Sequence, residues 1–218
     1  LSTDKAAAPV NMYGASKLCS DKLFVAANNI IGSRDLSLSV VRYGNVMGSR
    51  GSVIPFFLNL AKKNKAVLPI TSKEMTRFNI TLEEGVDMVM WCIKNTFGGE
   101  IVVPKIPSYN IMDVANAISP NCKKEIIGVR PGEKIHEEMI TSSDSKTTYD
   151  IGNYYLILPI LDKIKFNEVL KFYQSKGIKL KKVRDGFNYD SGSNEHFLSV
   201  DEIKNLIIKH IDTNFSHV

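Results

Sequence analysis

Cysteine is scarce in this chain: three in 218 residues, Cys19, Cys92 and Cys122, odd in number and far apart. That excludes a disulfide framework, and no C-x-x-C or Cys/His spacing points to zinc. The pattern fits thiols in a reducing compartment. Long hydrophobic runs are also missing. The longest, residues 86–93, carries Asp87 and falls far short of a membrane-spanning helix. The first residues are polar and do not read as a secretory leader, so the expected location is cytoplasmic and no membrane partner is expected. Charge of one sign is not in large excess: 28 Lys and Arg stand against 23 Asp and Glu, a formal net charge of +5. The densest basic run (Lys176, Lys179, Lys181, Lys182, Arg184) has no interleaved aromatics, so it reads as a solvated face and not as a nucleic-acid surface. A mild positive balance suits a small anionic substrate. Repeats and low-complexity tracts are missing too. So is the G-x-G-x-x-G turn with which dinucleotide-binding folds hold a pyrophosphate.

What is present is an ordinary globular composition, 44% hydrophobic and 23% charged. Residues 1–3 read as the end of a buried strand. Asn11 caps a predicted helix to about residue 29, and the β-branched run 36–43 reads as a strand. A glycine-rich turn (Gly44, Gly48, Gly51) leads to a helix over 55–63. Helices are predicted over 82–95, 111–118, 133–139, 167–177 and 200–211, and strands at 69–70, 100–103 and 125–129. In the helix over 82–95, Val86, Val89, Met90 and Ile93 lie on one face. Segments 141–150 and 186–194 read as loops. Strands alternating with helices in the first half argue for an α/β fold with a parallel sheet, followed by a smaller mixed part.

The chemistry concentrates in the first residues. Ser2-Thr3-Asp4-Lys5 and Tyr13-Gly14-Ala15-Ser16-Lys17 supply a hydroxyl, a carboxylate, a phenol and two amines. Tyr13 and Lys17, four apart, share one face of a helix. A phenol with a reference pKa of about 10 is a poor base at neutral pH, and a neighbouring ammonium favours its ionised form. This is equipment for moving a proton on or off a sugar-type hydroxyl. Adjacent residues at a strand end point to opposite sides, so Asp4 and Lys5 need a turn to act on one substrate. His136 has no metal-ligand spacing and reads as structural, Glu137 and Glu138 read as solvent-facing, and His196, His210 and His217 have no catalytic setting.

Tyr-x-x-x-Lys after a strand ending in Ser/Thr resembles the short-chain dehydrogenase/reductases. The segments Ser2 to Ala6, Pro9-x-Asn11-x-Tyr13, Arg42-Tyr43-Gly44-Asn45-Val46, Met75-Thr76-Arg77-Phe78 and Arg130-Pro131-Gly132-Glu133-Lys134 resemble the extended, nucleotide-sugar branch. Within it, Thr3-Asp4-Lys5 together with Tyr13 is similar to the UDP-N-acetylglucosamine 4,6-dehydratases that invert C5 and begin pseudaminic acid synthesis. The likeness covers nearly the whole chain and weakens after about residue 150.

The resemblance implies the C-terminal part of a Rossmann-type parallel-sheet domain with the Tyr/Lys helix in residues 1–66. Residues 67–218 would supply a small α+β substrate-binding cap and carboxy-terminal segment, interleaved with the first part. It implies NADP as cofactor, with NAD as the alternative, a UDP-sugar substrate, no metal and a homo-oligomer. Tyr13 would take the C4 hydroxyl proton, Lys17 would hold the nicotinamide ribose and favour the phenolate, and Thr3 would bind the C4 oxygen. Asp4 would protonate the departing C6 hydroxyl and Lys5, neutral at that moment, would remove the C5 proton. Tyr43 and Asn45 would lie beside the nicotinamide, with Asn45 reaching the substrate. Arg77 and Arg130 would clamp the diphosphate, Glu133 the uridine ribose, and Ser52, Val53 and Pro55 would flank the uracil.

The missing glycine turn sets the remaining expectation. The chain reads as a carboxy-terminal portion that alone folds poorly, aggregates or needs an amino-terminal complementing segment, and that shows no NADP+ binding by titration calorimetry. Two other readings stand beside the dehydratase: a non-catalytic fragment that at most binds UDP-sugar or a partner half, and a UDP-sugar epimerase or reductase. The last leaves Asp4-Lys5 without a task.

Overall fold

The structure, a computed structural model, describes residues 1–32, 34–63 and 67–215; His217 lies outside the described residues. In chain order the elements are β1 (Ser2–Thr3), α1 (Met12–Ala27), β2 (Val40–Tyr43), β3 (Asn45–Val46), α2 (Val53–Lys62), β4 (Val67–Ile70) and β5 (Thr76–Ile80). Then come α3 (Leu82–Asn95), β6 (Ile101–Pro104), β7 (Ser108–Asn110), α4 (Ile111–Ile118), β8 (Lys123–Ile126) and β9 (Glu138–Ile140). The chain ends with β10 (Thr148–Asp150), β11 (Tyr154–Ile157), α5 (Lys163–Ser175), β12 (Lys181–Lys182), β13 (Tyr189–Asp190) and α6 (Val200–His210). They fall into two compact units. The first comprises Leu1–Tyr43, Glu83–Lys105 and Glu138–Tyr189; the second comprises Gly44–Leu82, Ile106–Glu137 and Asp190–Val218.

The first unit is built on a six-stranded sheet in the order β1-β2-β6-β11-β10-β12. β1, β2 and β6 run parallel, with Ser2 opposite Arg42, Thr3 opposite Tyr43, and Val40 opposite Ile101. The expected α/β architecture with a parallel sheet is therefore present, and β1-α1-β2 is a parallel crossover. α1 begins where Asn11, in extended conformation, accepts the Gly14 N–H at 2.9 Å. β11 joins β6 antiparallel, and β10 and β12 continue that way. Val41, Met88, Cys92, Val102, Leu156, Val169 and Tyr173 form the core. Beneath it the buried Glu100 closes the turn after α3: it accepts Phe97 N–H and Tyr173 O–H on one oxygen and Gly98 N–H on the other, at 2.7–2.8 Å. Burial, and then the Glu100 carboxylate, push the Cys92 thiol up to about 12, so this cysteine is inert at neutral pH.

At the end of β10, Asp150 accepts from Lys105 Nζ at 2.7 Å. Burial pushes the Asp150 carboxyl up, but the Lys105 ammonium and the Gly152 N–H outweigh it and hold the group below its ordinary value. A carboxylate depressed in the folded state contributes stability above its unfolded value, and that contribution is lost as pH falls through the folded value. Lys105→Met is therefore expected to lower the unfolding midpoint at about pH 7 and to lower it less in acid, as pH falls through the folded-state value of Asp150. Equal losses at neutral and acid pH in urea titrations would contradict the assignment.

The second unit holds a three-stranded sheet, β3-β5-β7, and a two-stranded one, β4-β8. β3 is parallel and β7 antiparallel to β5, while β4 and β8 are parallel. α2, α4 and α6 close its core with Ile54, Phe57, Ile118, Ile203 and Ile207 over Leu68 and Ile70. Ser199 and Glu202 form a reciprocal capping box at the start of α6.

Several expectations are corrected. α3 spans the expected residues; its buried residues are Gly85, Met88 and Cys92, with Val89 partly buried, and the apolar face of Val86, Met90 and Ile93 is exposed. The helix is apolar on two faces, and periodicity cannot choose between them. No helix forms over 133–139. Gly132 turns the chain at φ 79, and the Ile135 carbonyl, which a helix would need, accepts Thr76 N–H and Arg77 Nη1 instead. Glu138 opens a strand there, and Glu137 is buried at 3% exposure and not solvent-facing. The strand expected over 36–43 is confined to Val40–Tyr43, because the Leu38 N–H and C=O are engaged by the Asn28 side chain. Segment 141–150 holds a 3-10 turn and β10, where a loop was expected, and β13 lies in the other expected loop.

Candidate active site

The first unit gathers the acid–base groups. β1 ends at Thr3 in extended conformation, and the chain drops at once into a 3-10 turn over Asp4–Ala6. This is the turn that adjacent Asp4 and Lys5 require. Thr3 Oγ1 and Lys5 Nζ both donate to Asp4 Oδ1 at 2.9 Å. The Lys5 N–H reaches back to Thr3 Oγ1 at 3.4 Å. Asp4 is 0% exposed, and its Oδ2 has no hydrogen-bond partner among the described residues. A buried carboxylate oxygen without a donor is costly, which favours a ligand hydroxyl at that atom. Lys5, at the mouth, is partly exposed.

Tyr13 and Lys17 lie on the first turns of α1. Tyr13 is 54% exposed and its carbonyl accepts from Ser16 Oγ; Lys17 is half-buried. Tyr43, at the end of β2, is half-buried and sits beside Thr3 in the sheet register. One turn beyond Lys17, Asp21 is buried against Arg42 of β2. Arg42 Nη2 donates to Asp21 Oδ2 at 2.9 Å and Nη1 to the Met139 carbonyl at 2.9 Å. Sequence reasoning passed over this pair. The available signal was Asp21 four residues after Lys17 on a helix, and an arginine inside an apolar strand.

The second unit carries the other candidates. Asn45 opens β3 opposite Asn79 and is half-buried. Ser52 precedes α2, its hydroxyl donating to the Ser49 carbonyl at 2.7 Å, and Val53 packs on the core. Arg77, on β5, is 9% exposed; Nη1 donates to the Thr76 and Ile135 carbonyls at 2.7 and 3.1 Å, and Nε lies 3.8 Å from Glu137. Lys134 lies 3.9 Å from the same carboxylate. Arg130 is exposed and 3.8 Å from Glu133, whose Oε2 has no hydrogen-bond partner among the described residues. His136 Nδ1 and Ser191 Oγ both bond Thr76 Oγ1, at 2.8 and 2.7 Å, so His136 is tied into the structure as expected.

Gly44, between Tyr43 and Asn45, has no room for a side chain: a Cβ there would lie 2.4 Å from Phe78 Cβ, and Phe78 is fully buried. Gly44→Ala is expected to destabilise the protein by about 1–3 kcal/mol through overpacking, read as a shift in denaturant midpoint at unchanged slope. An unshifted midpoint would contradict it.

Among the described residues no cluster of three His, Cys, Asp or Glu could hold a metal ion, and no helix is long and apolar enough to cross a membrane. A parallel crossover with a hydroxyl at the end of its first strand and Tyr/Lys on its helix defines a short-chain dehydrogenase/reductase-like α/β protein. The chain belongs to the polysaccharide biosynthesis protein family, which it matches over residues 1–159. It is 52% identical over 207 residues to a UDP-N-acetylglucosamine 4,6-dehydratase (inverting) of Campylobacter jejuni, covering 95% of this chain and 62% of that protein. It is 38% identical over 213 residues to a UDP-glucose 4-epimerase of Rickettsia canadensis, covering 95% of this chain and 60% of the relative. Among solved structures, Pen from Bacillus thuringiensis superposes with a TM-score of 0.80 at 31% identity, covering 96% of this chain and 60% of Pen. The chain thus spans about three fifths of the length of these relatives.

Proposed function

We propose that the whole protein dehydrates UDP-N-acetylglucosamine across C5 and C6, with inversion at C5. The observation that carries this reading is the Thr3-Asp4-Lys5 turn. A buried carboxyl with one oxygen held by a hydroxyl and an ammonium, and the other left for a ligand, is an acid with its base beside it. An elimination needs that pair, whereas oxidation or epimerisation at C4 does not. The 52% identity to an inverting dehydratase supports the same reading.

A nicotinamide dinucleotide, NADP by family likeness and NAD otherwise, would supply a hydride acceptor at C4 and return the hydride at C6. The donor set fits such a group: an exposed phenol and a half-buried ammonium share one face of α1, with Tyr43 half-buried at the end of β2. Lys17 binds the ribose hydroxyls and stabilises the Tyr13 phenolate. Tyr13 takes the proton from the C4 hydroxyl, and the Thr3 hydroxyl, turning from Asp4 Oδ1, donates a hydrogen bond to the oxygen as it becomes a carbonyl. The C4 ketone acidifies the C5–H, Lys5 removes that proton, Asp4 protonates the C6 hydroxyl as water leaves, and a solvent-derived proton delivered to the opposite face of C5 accompanies hydride return at C6. Asn45, Arg77 and Arg130 serve the diphosphate and sugar, Glu133 the ribose, and Ser52 and Val53 the uracil. The product enters surface-glycan synthesis of the pseudaminic acid type, in the cytoplasm, with the enzyme a homo-oligomer.

Incubation of the whole protein with UDP-N-acetylglucosamine in deuterated water tests the reading. Deuterium at C5 of a 4-keto-6-deoxy product with inverted configuration is expected; retention at C5 would refute it. The 38% identity to a UDP-glucose 4-epimerase favours a second reading, C4 epimerisation, which the same experiment would reveal as a C4 epimer formed without loss of water.

A further inference from the structure

We propose that Gly14 is a positioning residue: its missing side chain sets the spacing between the Asp4-Lys5 turn and the helix that carries Tyr13 and Lys17. Gly14 is one of only two buried residues on α1 among those described, and it follows Tyr13 directly. A Cβ at this position would lie 2.3 Å from the Lys5 carbonyl oxygen, 3.3 Å from the Lys5 carbonyl carbon and 3.0 Å from Pro9 Cβ. The first of these is a backbone atom, so no side-chain rotation relieves the clash. The turn would have to move away from the helix.

A second feature of the same segment points the same way. The loop joining the turn to the helix is held tight: Ala6 and Ala7 are buried, and Ala7 N–H bonds the Asp4 carbonyl at 3.1 Å. Ala8 takes φ +44, the only non-glycine with positive φ among the described residues. An L-residue in that region is strained, and such strain persists only where the surroundings over-determine it. The loop therefore presses the turn onto α1 at the one position where α1 offers no side chain. Two pairs of proton carriers, Asp4 with Lys5 and Tyr13 with Lys17, are thereby placed on facing pieces of backbone.

The kinetic arm rests on the dehydratase reading. Gly14→Ala is made in the whole protein, with Ala15→Gly as a control for helix propensity. Alanine favours helix over glycine, so propensity alone would strengthen α1 in the first variant. The expected result is a fall in kcat for UDP-N-acetylglucosamine of at least ~10-fold with KM within ~2-fold, since misplacement by about 1 Å damages chemistry more than binding. The Ala7 amide is expected to exchange its hydrogen at least ~5-fold faster as the turn loosens. A kcat within ~2-fold of the unsubstituted protein, or a KM that rises as much as kcat falls, would overturn the proposal. Should Gly14→Ala fail to fold, Ala8→Gly replaces it. Glycine accepts positive φ without strain, so this variant folds while freeing the loop, and kcat is expected to fall at unchanged KM. An unchanged kcat in Ala8→Gly would overturn the proposal equally. An unsubstituted protein that leaves UDP-N-acetylglucosamine intact would refute the dehydratase reading by itself. Ala7 exchange then decides the role of Gly14, and wild-type protection in Gly14→Ala counts against it.

Discussion

Lys5→Ala in the whole protein is expected to reduce dehydration of UDP-N-acetylglucosamine by about 10²–10⁴-fold, the usual worth of a placed general base. The effect should fall on kcat, with KM little changed, because in the proposed reading other residues hold the nucleotide. Loss of the ammonium also leaves Asp4 Oδ1 with Thr3 Oγ1 as its remaining side-chain donor, in a site where Asp4 is fully buried. Asp4 itself is untouched, so the proposed acid survives while the base is gone. Transient oxidation at C4, followed as a rise in reduced-nicotinamide absorbance in a single turnover, should therefore persist in this variant without C5 exchange. Lys5→Arg separates charge from basicity: it can keep the contact to Asp4, but a guanidinium does not give up its proton, so turnover should stay low. Near-normal turnover in either variant would refute the base role.

Asp21→Ala is expected to destabilise the protein by about 3–5 kcal/mol, as is typical when one partner of a buried ion pair is removed. Arg42 and Asp21 are both about 2% exposed, and Arg42 Nε already lacks a hydrogen-bond partner among the described residues. Without Asp21 the guanidinium keeps the Met139 carbonyl at 2.9 Å and nothing of opposite charge within the pair. The double variant Asp21→Leu with Arg42→Met should recover most of the loss, because an apolar replacement of both partners removes the uncompensated charge. Urea unfolding followed by circular dichroism distinguishes the outcomes. A single-variant loss below about 1 kcal/mol would mean that the pair behaves as an exposed one. The pair joins α1 to β2 one turn beyond Lys17, so Asp21→Ala should also impair catalysis below its unfolding temperature.

The elements easiest to read in the sequence were those whose periodicity and caps agree. α4 was placed at its observed bounds; in the structure Ile111, Val114, Ala115 and Ile118 are buried and Asn110 caps it. α1 was read from its cap, Asn11. Short strands escaped: Thr76–Ile80 is buried at every position, so it shows no alternation, and Ser108–Asn110 is too short to show any. The helix expected over 133–139 failed because a long-range acceptor, the Ile135 carbonyl, is claimed by β5, which no local rule can see. In the candidate site, Asp4, Lys5, Tyr13 and Lys17 were legible because their chemistry is unusual for their spacing. Gly14 was not, since its role comes from a contact nine residues back along the chain.

The path of the chain between its two units has a consequence for how such a protein can change. The backbone passes from one unit to the other at residues 43–44, 82–83, 105–106, 137–138 and 189–190. No single cut, and no exon-like exchange of one contiguous stretch, can hand over one unit intact. Each unit is assembled from three separate stretches of chain, so neither can be expressed as one contiguous module.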